Sequence, residues 1–432
     1  MVKEVSGVNR RGLFTTSCVA LITTAMVFSI RGDVLGELAS DFRLTNEQIG
    51  LVLSPAFWGF TLAIMIGGAL VDFFGMRRLL QLSAAGYIIA PLLIIFAPRP
   101  AAAVQPYYSD PGFIFLYAGM LMLGLAQGLV EGAINPLVAT IYSDDKTHRL
   151  NVLHAWWPGG LIIGGLLAYA VTWLLGLNAP HLAPARMTLG WQLKVGLLLI
   201  PAATFGLMTL RQQFPPTERV QAGVSSGEMF REALRPMFVV LFAIMWLTAS
   251  TELGPDQWIG PMITSLTGMR GILILVYTAG IMFLMRSFAG GRLARRLSPL
   301  GLLMLSSVLS AAGLFGLSSI RTPAQAFAAA TIFGLGKSFF WPTMLGVTSE
   351  RFPRGGAALL AIMGGAGQLA VAFILPLMGS WYDRYGAATT FRFVAILPVA
   401  LIGIFGALLI YYRTTGGYRS VQLKATGAAN PS

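Results

Sequence analysis

The chain has 432 residues, of which 56% are hydrophobic and 11% charged, with a mean hydropathy of +0.72. That balance excludes a water-soluble protein of two or three domains, the ordinary reading of this length. A formal net charge of +13 would suit nucleic acid, but the Lys and Arg are scattered over short loops rather than gathered in a patch, so the partner they imply is a lipid bilayer and not nucleic acid.

Twelve long apolar segments follow one another at 13–40, 47–72, 78–98, 112–142, 150–176, 190–211, 236–265, 271–291, 300–320, 325–349, 357–382 and 390–413. A helix needs roughly 20 apolar residues to cross hydrocarbon. Lipid tolerates no unpaired backbone, so segments this long and continuous are helices rather than barrel strands. The fold predicted is an all-α membrane protein with twelve transmembrane helices in two six-helix halves. The first half is 1–211, a cytoplasmic linker covers 212–235, the second half is 236–413, and a disordered tail covers 414–432. The N-terminal run is too long for a signal peptide and lacks a small-residue cleavage site, so it reads as an uncleaved first span.

An even number of spans puts both termini on one face. The loops and tails on that face carry nineteen Lys and Arg, against eight on the other. The positive-inside rule makes the nineteen-residue face cytoplasmic and the chain a multi-pass protein of the cell (inner) membrane. Lys194 and Arg270 are counted here among the eight, while Arg31, Arg286 and Lys337 fall inside spans.

In chain order, the first span holds Cys18, the only cysteine, which forbids an intrachain disulfide. The same span carries Arg31 and Asp33. The loop after span two reads GALVDFFGMRR. Its Gly68 allows close helix approach, Asp72 can cap a neighbouring helix or pair with a cation, and Gly75 permits a tight turn before Arg77 and Arg78. Span four carries EGAINP, with Glu131, Asn135 and Pro136, and HRLNVLHAW follows, with Asn151, His154 and Trp157. Glu131 and Asn135 share a helix face. In the linker, Ser225 and Glu228 fit a capping box and predict a short surface helix. Span seven holds Glu252, Asp256 and Trp258. Asp256 is expected near the outer end, solvated, and Arg286 is expected to support packing. Lys337 and Trp341 lie in span ten and Gln368 in span eleven, which ends GSWYDRYG with Asp383. Pro136 precedes Asp144 by eight residues and Pro342 precedes Glu350 by eight, a repeat at corresponding places in the two halves. Repeated halves put a solute site near the midplane between them.

The loop after span two resembles the G-x-x-x-D-[RK]-x-G-[RK]-[RK] signature of the major facilitator superfamily, with Phe73 where a basic residue is usual. In the second half GGRLARRLSP occupies that place with Arg295 for the aspartate, and Gly379, Asp383, Arg384 and Gly386 repeat the pattern on the outer face. The set Asp33, Glu131, Asn135, Pro136, Arg149, Leu150 and Asn151 resembles the fucose–proton symporter (sugar permease) family. That resemblance implies that Asp33 and Glu131 are the proton and substrate carboxylates.

Ionisable side chains inside a membrane are costly and usually functional. Four carboxylates face three cations within the spans, and a carboxylate left over is a candidate proton carrier. The expectations are Asp33 and Glu131 for proton coupling. For the solute they are Asn135, Asn151, His154, Trp157, Glu252, Trp258, Lys337, Trp341 and Gln368. For gating they are Gly68, Asp72, Gly75, Arg77, Arg78 and Asp383. No metal or cofactor is implied. Enzyme motifs such as H-E-x-x-H, G-x-S-x-G and the P-loop are absent from the sequence. The function expected is proton-coupled symport of a small polar solute, above all a monosaccharide, by a monomer working through alternating access. A proton-coupled antiporter exporting an amphipathic compound or metabolite, and a non-transporting transceptor, are the alternatives.

Overall fold

The computed structural model describes residues 8–142, 149, 152–177, 184–215, 231–352 and 356–418, and no strand occurs among them. The first half comprises α1 (Arg10–Asp33), α2 (Leu35–Asp41), α3 (Asn46–Phe74), α4 (Met76–Ile95), α5 (Pro111–Ile141), α6 (Trp156–Leu174), α7 (Pro184–Gly196) and α8 (Leu199–Leu210). The second comprises α9 (Pro236–Thr267), α10 (Ile272–Leu284), a π-helical turn Met285–Ala289, α11 (Gly290–Leu317), α12 (Pro323–Lys337), α13 (Phe340–Arg351) and α14 (Gly356–Thr414).

Twelve crossings result, all-α as expected. Ten helices among the described residues meet the length and hydropathy of a span. The last of these holds two crossings, because α14 is broken at Gly386 (φ 76, ψ 172). The twelfth is α12 continued by α13 across a break at Ser338 and Phe339. Only glycine takes that backbone at Gly386 without strain, and Gly75 (φ 79) makes the tight joint between α3 and α4 in the same way.

Local chemistry fixes where the helices begin. The side chains of Thr45 and Gln48 form a reciprocal capping box at the start of α3. Asp110 caps α5 ahead of Pro111, and Thr322 caps α12 ahead of Pro323. The first span departs from expectation. It is not one helix over 13–40 but two, α1 and α2, with a break at Val34 (φ −91, ψ 3). The capping box expected at Ser225 and Glu228 lies outside the described residues.

Small residues set the distance between helices, as they do where lipid supplies no hydrophobic drive for association. A Cβ on Gly124 of α5 would collide with the Ala56 carbonyl of α3, and one on Gly313 of α11 with the backbone of Phe333 in α12. The two halves meet where α3 packs on the 356–385 limb of α14, α6 on α10, and α1 on α9. A Cβ on Gly50 would lie 2.5 Å from Pro376 Cα, and one on Gly379 would strike the Asn46 carbonyl. Across the same interface the Ser54 hydroxyl donates to the Ala372 carbonyl (2.6 Å) and Thr61 to that of Gly365 (2.7 Å). These contacts close the face opposite the termini.

Candidate functional site

Glu131 lies half-buried on α5, one turn before Asn135. The Asn135 amide nitrogen donates to the Glu131 carbonyl (3.1 Å), and its oxygen is 3.0 Å from Nε2 of His154. An amide that donates through nitrogen presents oxygen on its other side. The network therefore assigns the His154 proton to Nε2 and leaves Nδ1 as an open acceptor. His154, just ahead of α6, has an exposed side chain. From the other half Arg286 comes within electrostatic reach of it. The π-helical turn carries Arg286; its Nε donates to the Ser338 carbonyl (2.8 Å) and its Nη2 to Oε1 of Glu252 (3.3 Å). π-turns are often found at functional sites. Glu252 is 3% exposed, and among the described residues no side chain is hydrogen-bonded to its second oxygen.

No cation is paired with Glu131 among the described residues, although Arg31 lies within electrostatic reach of the same Tyr87 that Glu131 reaches. The Glu131 side chain is hydrogen-bonded to that of Gln127, and Tyr87, whose hydroxyl meets Thr24 (2.9 Å), is within electrostatic reach. Among the described residues Asp33 has Lys194, Glu252 has Arg286, and Asp256 has Lys337.

Aromatic side chains border the same region. Trp341 is half-buried and packs against Gly367, beside the buried Gln368. Trp157 meets Phe28 edge-on at 6.0 Å, and the Arg31 guanidinium lies over the rings of Phe57 (4.6 Å) and Phe28 (5.3 Å). Arg31 also donates to the side chain of Gln257 (2.6 Å), across the two halves.

Several expected residues do not join this group. Trp258 is fully buried, and its indole N–H is spent on the Leu375 carbonyl (3.2 Å). Lys337 is fully buried on Asp256 (2.5 and 2.6 Å) and Thr278 (3.1 Å), so Asp256 is no solvated outer residue. Asp33 is 2.6 Å from Lys194, a side chain wholly sealed within the helices rather than an outer-loop charge. Glu37 sits 3.6 Å from the same ammonium and 3.1 Å from Arg270. Lys194, Glu37, Gln257 and Tyr87 were invisible to hydropathy and motif alike. A charge within an otherwise apolar helix, as at Lys194, was the one available signal.

Of the residues expected to gate, Asp383 accepts from the Asn46 backbone N–H (3.1 Å), the Asn46 side chain (2.8 Å) and the Glu47 backbone N–H (2.8 Å), at the start of α3. Arg77 donates to the Leu210 carbonyl (2.7 Å), and Arg78 is exposed. Gly68 and Asp72 fall within α3, with side chains outside the described ones, and Asn151 lies outside the described residues.

Two six-helix halves around a polar midplane are matched by a family model, the Major Facilitator Superfamily, over residues 13–355. This chain belongs to the Major Facilitator Superfamily. It is an integral multi-pass membrane protein and a transporter of that superfamily. Among solved structures it is similar to a D-xylose–proton symporter, with a TM-score of 0.74 at 15% identity, covering 91% of this chain and 97% of that one. It is also similar to the fucose–proton symporter of E. coli, with a TM-score of 0.60 at 18% identity, covering 91% and 98%. These identities bear on fold alone. Among curated relatives, a probable chloroplastic anion transporter of Arabidopsis thaliana is 25% identical over 41% of this chain and 32% of its own length. A facilitated glucose transporter of Xenopus laevis is 27% identical over 44% and 29%. A voltage-gated purine nucleotide uniporter of Homo sapiens is 22% identical over 40% and 38%. The match thus spans about a third of the length of these relatives.

Proposed function

We propose that this transporter couples protons to the import of a small polar solute, a monosaccharide above all, by alternating access. The observation that carries the reading is Glu131: an acid in a membrane-spanning helix, half-buried, with no cation paired to it among the described residues. An isolated charge there is strongly disfavoured, so the group gains and loses a proton as its surroundings change. Proton coupling then follows if solute binding and reorientation require the protonated form. The solute groups in this reading are Asn135, His154, Trp157 and Gln127 from the first half and Arg286, Glu252, Trp341 and Gln368 from the second, joined by the reach of Arg286 to His154. With Glu131 protonated and Arg286 balanced by Glu252 these solute groups carry no net charge, while Arg31 is turned to Gln257 and the Phe28 and Phe57 rings, which suits an uncharged solute. The open Nδ1 of His154 accepts a hydroxyl, Arg286 donates to one, and the tryptophan faces suit the C–H faces of a sugar ring. The xylose and fucose symporters among similar folds are consistent with this choice. Both termini are taken as cytoplasmic, on the nineteen-to-eight charge bias, and the carrier acts as a monomer.

The test is reconstitution in liposomes containing a pH-sensitive dye, with a panel of monosaccharides supplied outside. Sugar-dependent acidification of the lumen supports the reading. Sugar counterflow without proton movement would make the protein a uniporter, and proton efflux on addition of an amphipathic compound would make it an exporter.

A further inference from the structure

A second set of charges lies apart from Glu131 and divides unevenly between the halves. Asp33 on α1, Glu37 on α2 and Lys194 on α7 all belong to the first half, with side chains 4%, 7% and 0% exposed. Arg270, in the turn between α9 and α10, belongs to the second. It reaches across to Glu37 (3.1 Å) and donates to the Leu177 carbonyl (3.1 Å). With the face opposite the termini closed, two carboxylates therefore meet two cations. Lys194 holds Asp33 at 2.6 Å and Glu37 only at 3.6 Å, because Arg270 serves Glu37.

We propose that opening this face loads one proton from the water outside onto the Asp33–Glu37 pair. The inference rests on the alternating-access reading above. When the second half swings away it takes Arg270 with it, and two carboxylates are left on one ammonium. Two close carboxylates in a poorly solvated site do not both stay ionised, and the opened face supplies water from which one of them takes a proton. On closing, Arg270 returns to Glu37 and the proton goes back to the outside water as the face seals.

The other charges packed around the pair do not replace Arg270. Arg31 on α1 is two residues from Asp33, a spacing that does not share a helix face, and lies against Phe28 and Phe57. Asp41 on α2 is bound by the Thr188 hydroxyl and the Trp191 N–H, both from α7. Asp256 on α9 is matched by Lys337 from α12. Asp41 and Asp256 keep partners within their own half; Arg31 loses Gln257 when the halves part but stays on the Phe28 and Phe57 rings of the first half.

By linkage the sign is fixed: the open state binds more protons, so acid favours opening. One proton per opening changes the open-to-closed ratio by up to tenfold per pH unit within the titration window. The experiment uses full-length protein in lipid nanodiscs, with Cys18→Ala and spin labels at Tyr108→Cys and Arg321→Cys, both exposed on this face. Distance distributions are recorded by pulsed electron resonance between pH 5 and 8, without solute. The parent chain is expected to show the long distance gaining with acid at up to tenfold per unit. Arg270→Gln and Glu37→Gln are expected to flatten that dependence, since each makes the proton count equal in the two states. Arg270→Lys is expected to retain it. A flat parent profile, or an unchanged slope in both Arg270→Gln and Glu37→Gln, overturns the proposal. A slope abolished by Glu131→Gln but kept in Glu37→Gln also overturns it, while leaving the Glu131 symport reading standing. A single distance at every pH in every variant counts against alternating access itself.

Discussion

Asp383 offers the most direct handle on the closed face. Its carboxylate meets the first two backbone N–H groups of α3 and the Asn46 side chain, across the boundary between the halves. Helix N-termini carry unsatisfied donors and a partial positive charge, so an anion is favoured there. Asp383→Asn keeps the shape and removes the charge; one of its two positions now presents an N–H to the Glu47 N–H. Hydrogen bonds to a charged group contribute about 1.5–3 kcal/mol when buried, and these are exposed, so the low end applies. The helix-terminus charge adds about 0.3–1 kcal/mol. A net loss of about 1–2 kcal/mol is expected, a factor of roughly 5–30 in a two-state equilibrium. Because the contact exists only between closed halves, the loss falls on the open–closed balance and leaves each half intact. The Tyr108–Arg321 label pair reads it as growth of the long-distance population, with little change in melting temperature. An unaltered distribution in both Asp383→Asn and Asp383→Ala would refute the latch. A lowered melting temperature with no change in distances would mark Asp383 as structural.

Two further outcomes follow from the packing. Gly379→Ala places a methyl against the Asn46 carbonyl, so the same face is expected to fail to close, slowing solute counterflow at least tenfold; normal counterflow would show that the helices shift to accept it. Lys337→Met strands the buried Asp256 and is expected to cost about 3–5 kcal/mol, read as a loss of melting temperature, whereas Lys337→Met with Asp256→Leu recovers most of it. No recovery in the double variant would show that the pair does more than balance charge.

The architecture was legible because each crossing is written as a long apolar run, and hydrocarbon leaves helix as the one solution for such a run. The break at Val34 was not, since the acids on either side of it find their cations far along the chain, Asp33 on Lys194 161 residues away and Glu37 on Arg270 233 residues away. The same long-range pairing explains Asp256, which looks like an outer-end residue in sequence and is held by Lys337 across 81 positions. Arg270 does lie in a loop, as expected, whereas Lys194, read as a loop charge because a short loop and a helix end have the same composition, sits inside α7. Glu131, Asn135 and His154 could be grouped from the EGAINP and HRLNVLHAW segments, and they meet in the structure. Arg286 was assigned to packing because a sequence does not reveal a π-turn, and that turn is what brings it to Glu252. Trp258 misled for a simpler reason: tryptophan beside polar residues suits a ring-stacking site and a buried N–H···O=C bond equally well.

The central claim concerns Glu131 as the proton carrier of a symporter, and one paired measurement bears on it most directly. Solute counterflow and pH-driven uptake are recorded in the same proteoliposomes for the parent chain and Glu131→Gln, which mimics the protonated acid. The account predicts that Glu131→Gln exchanges solute at a rate near that of the parent yet no longer accumulates it under a pH gradient. Accumulation by Glu131→Gln as strong as that of the parent would contradict it and move the proton to another site.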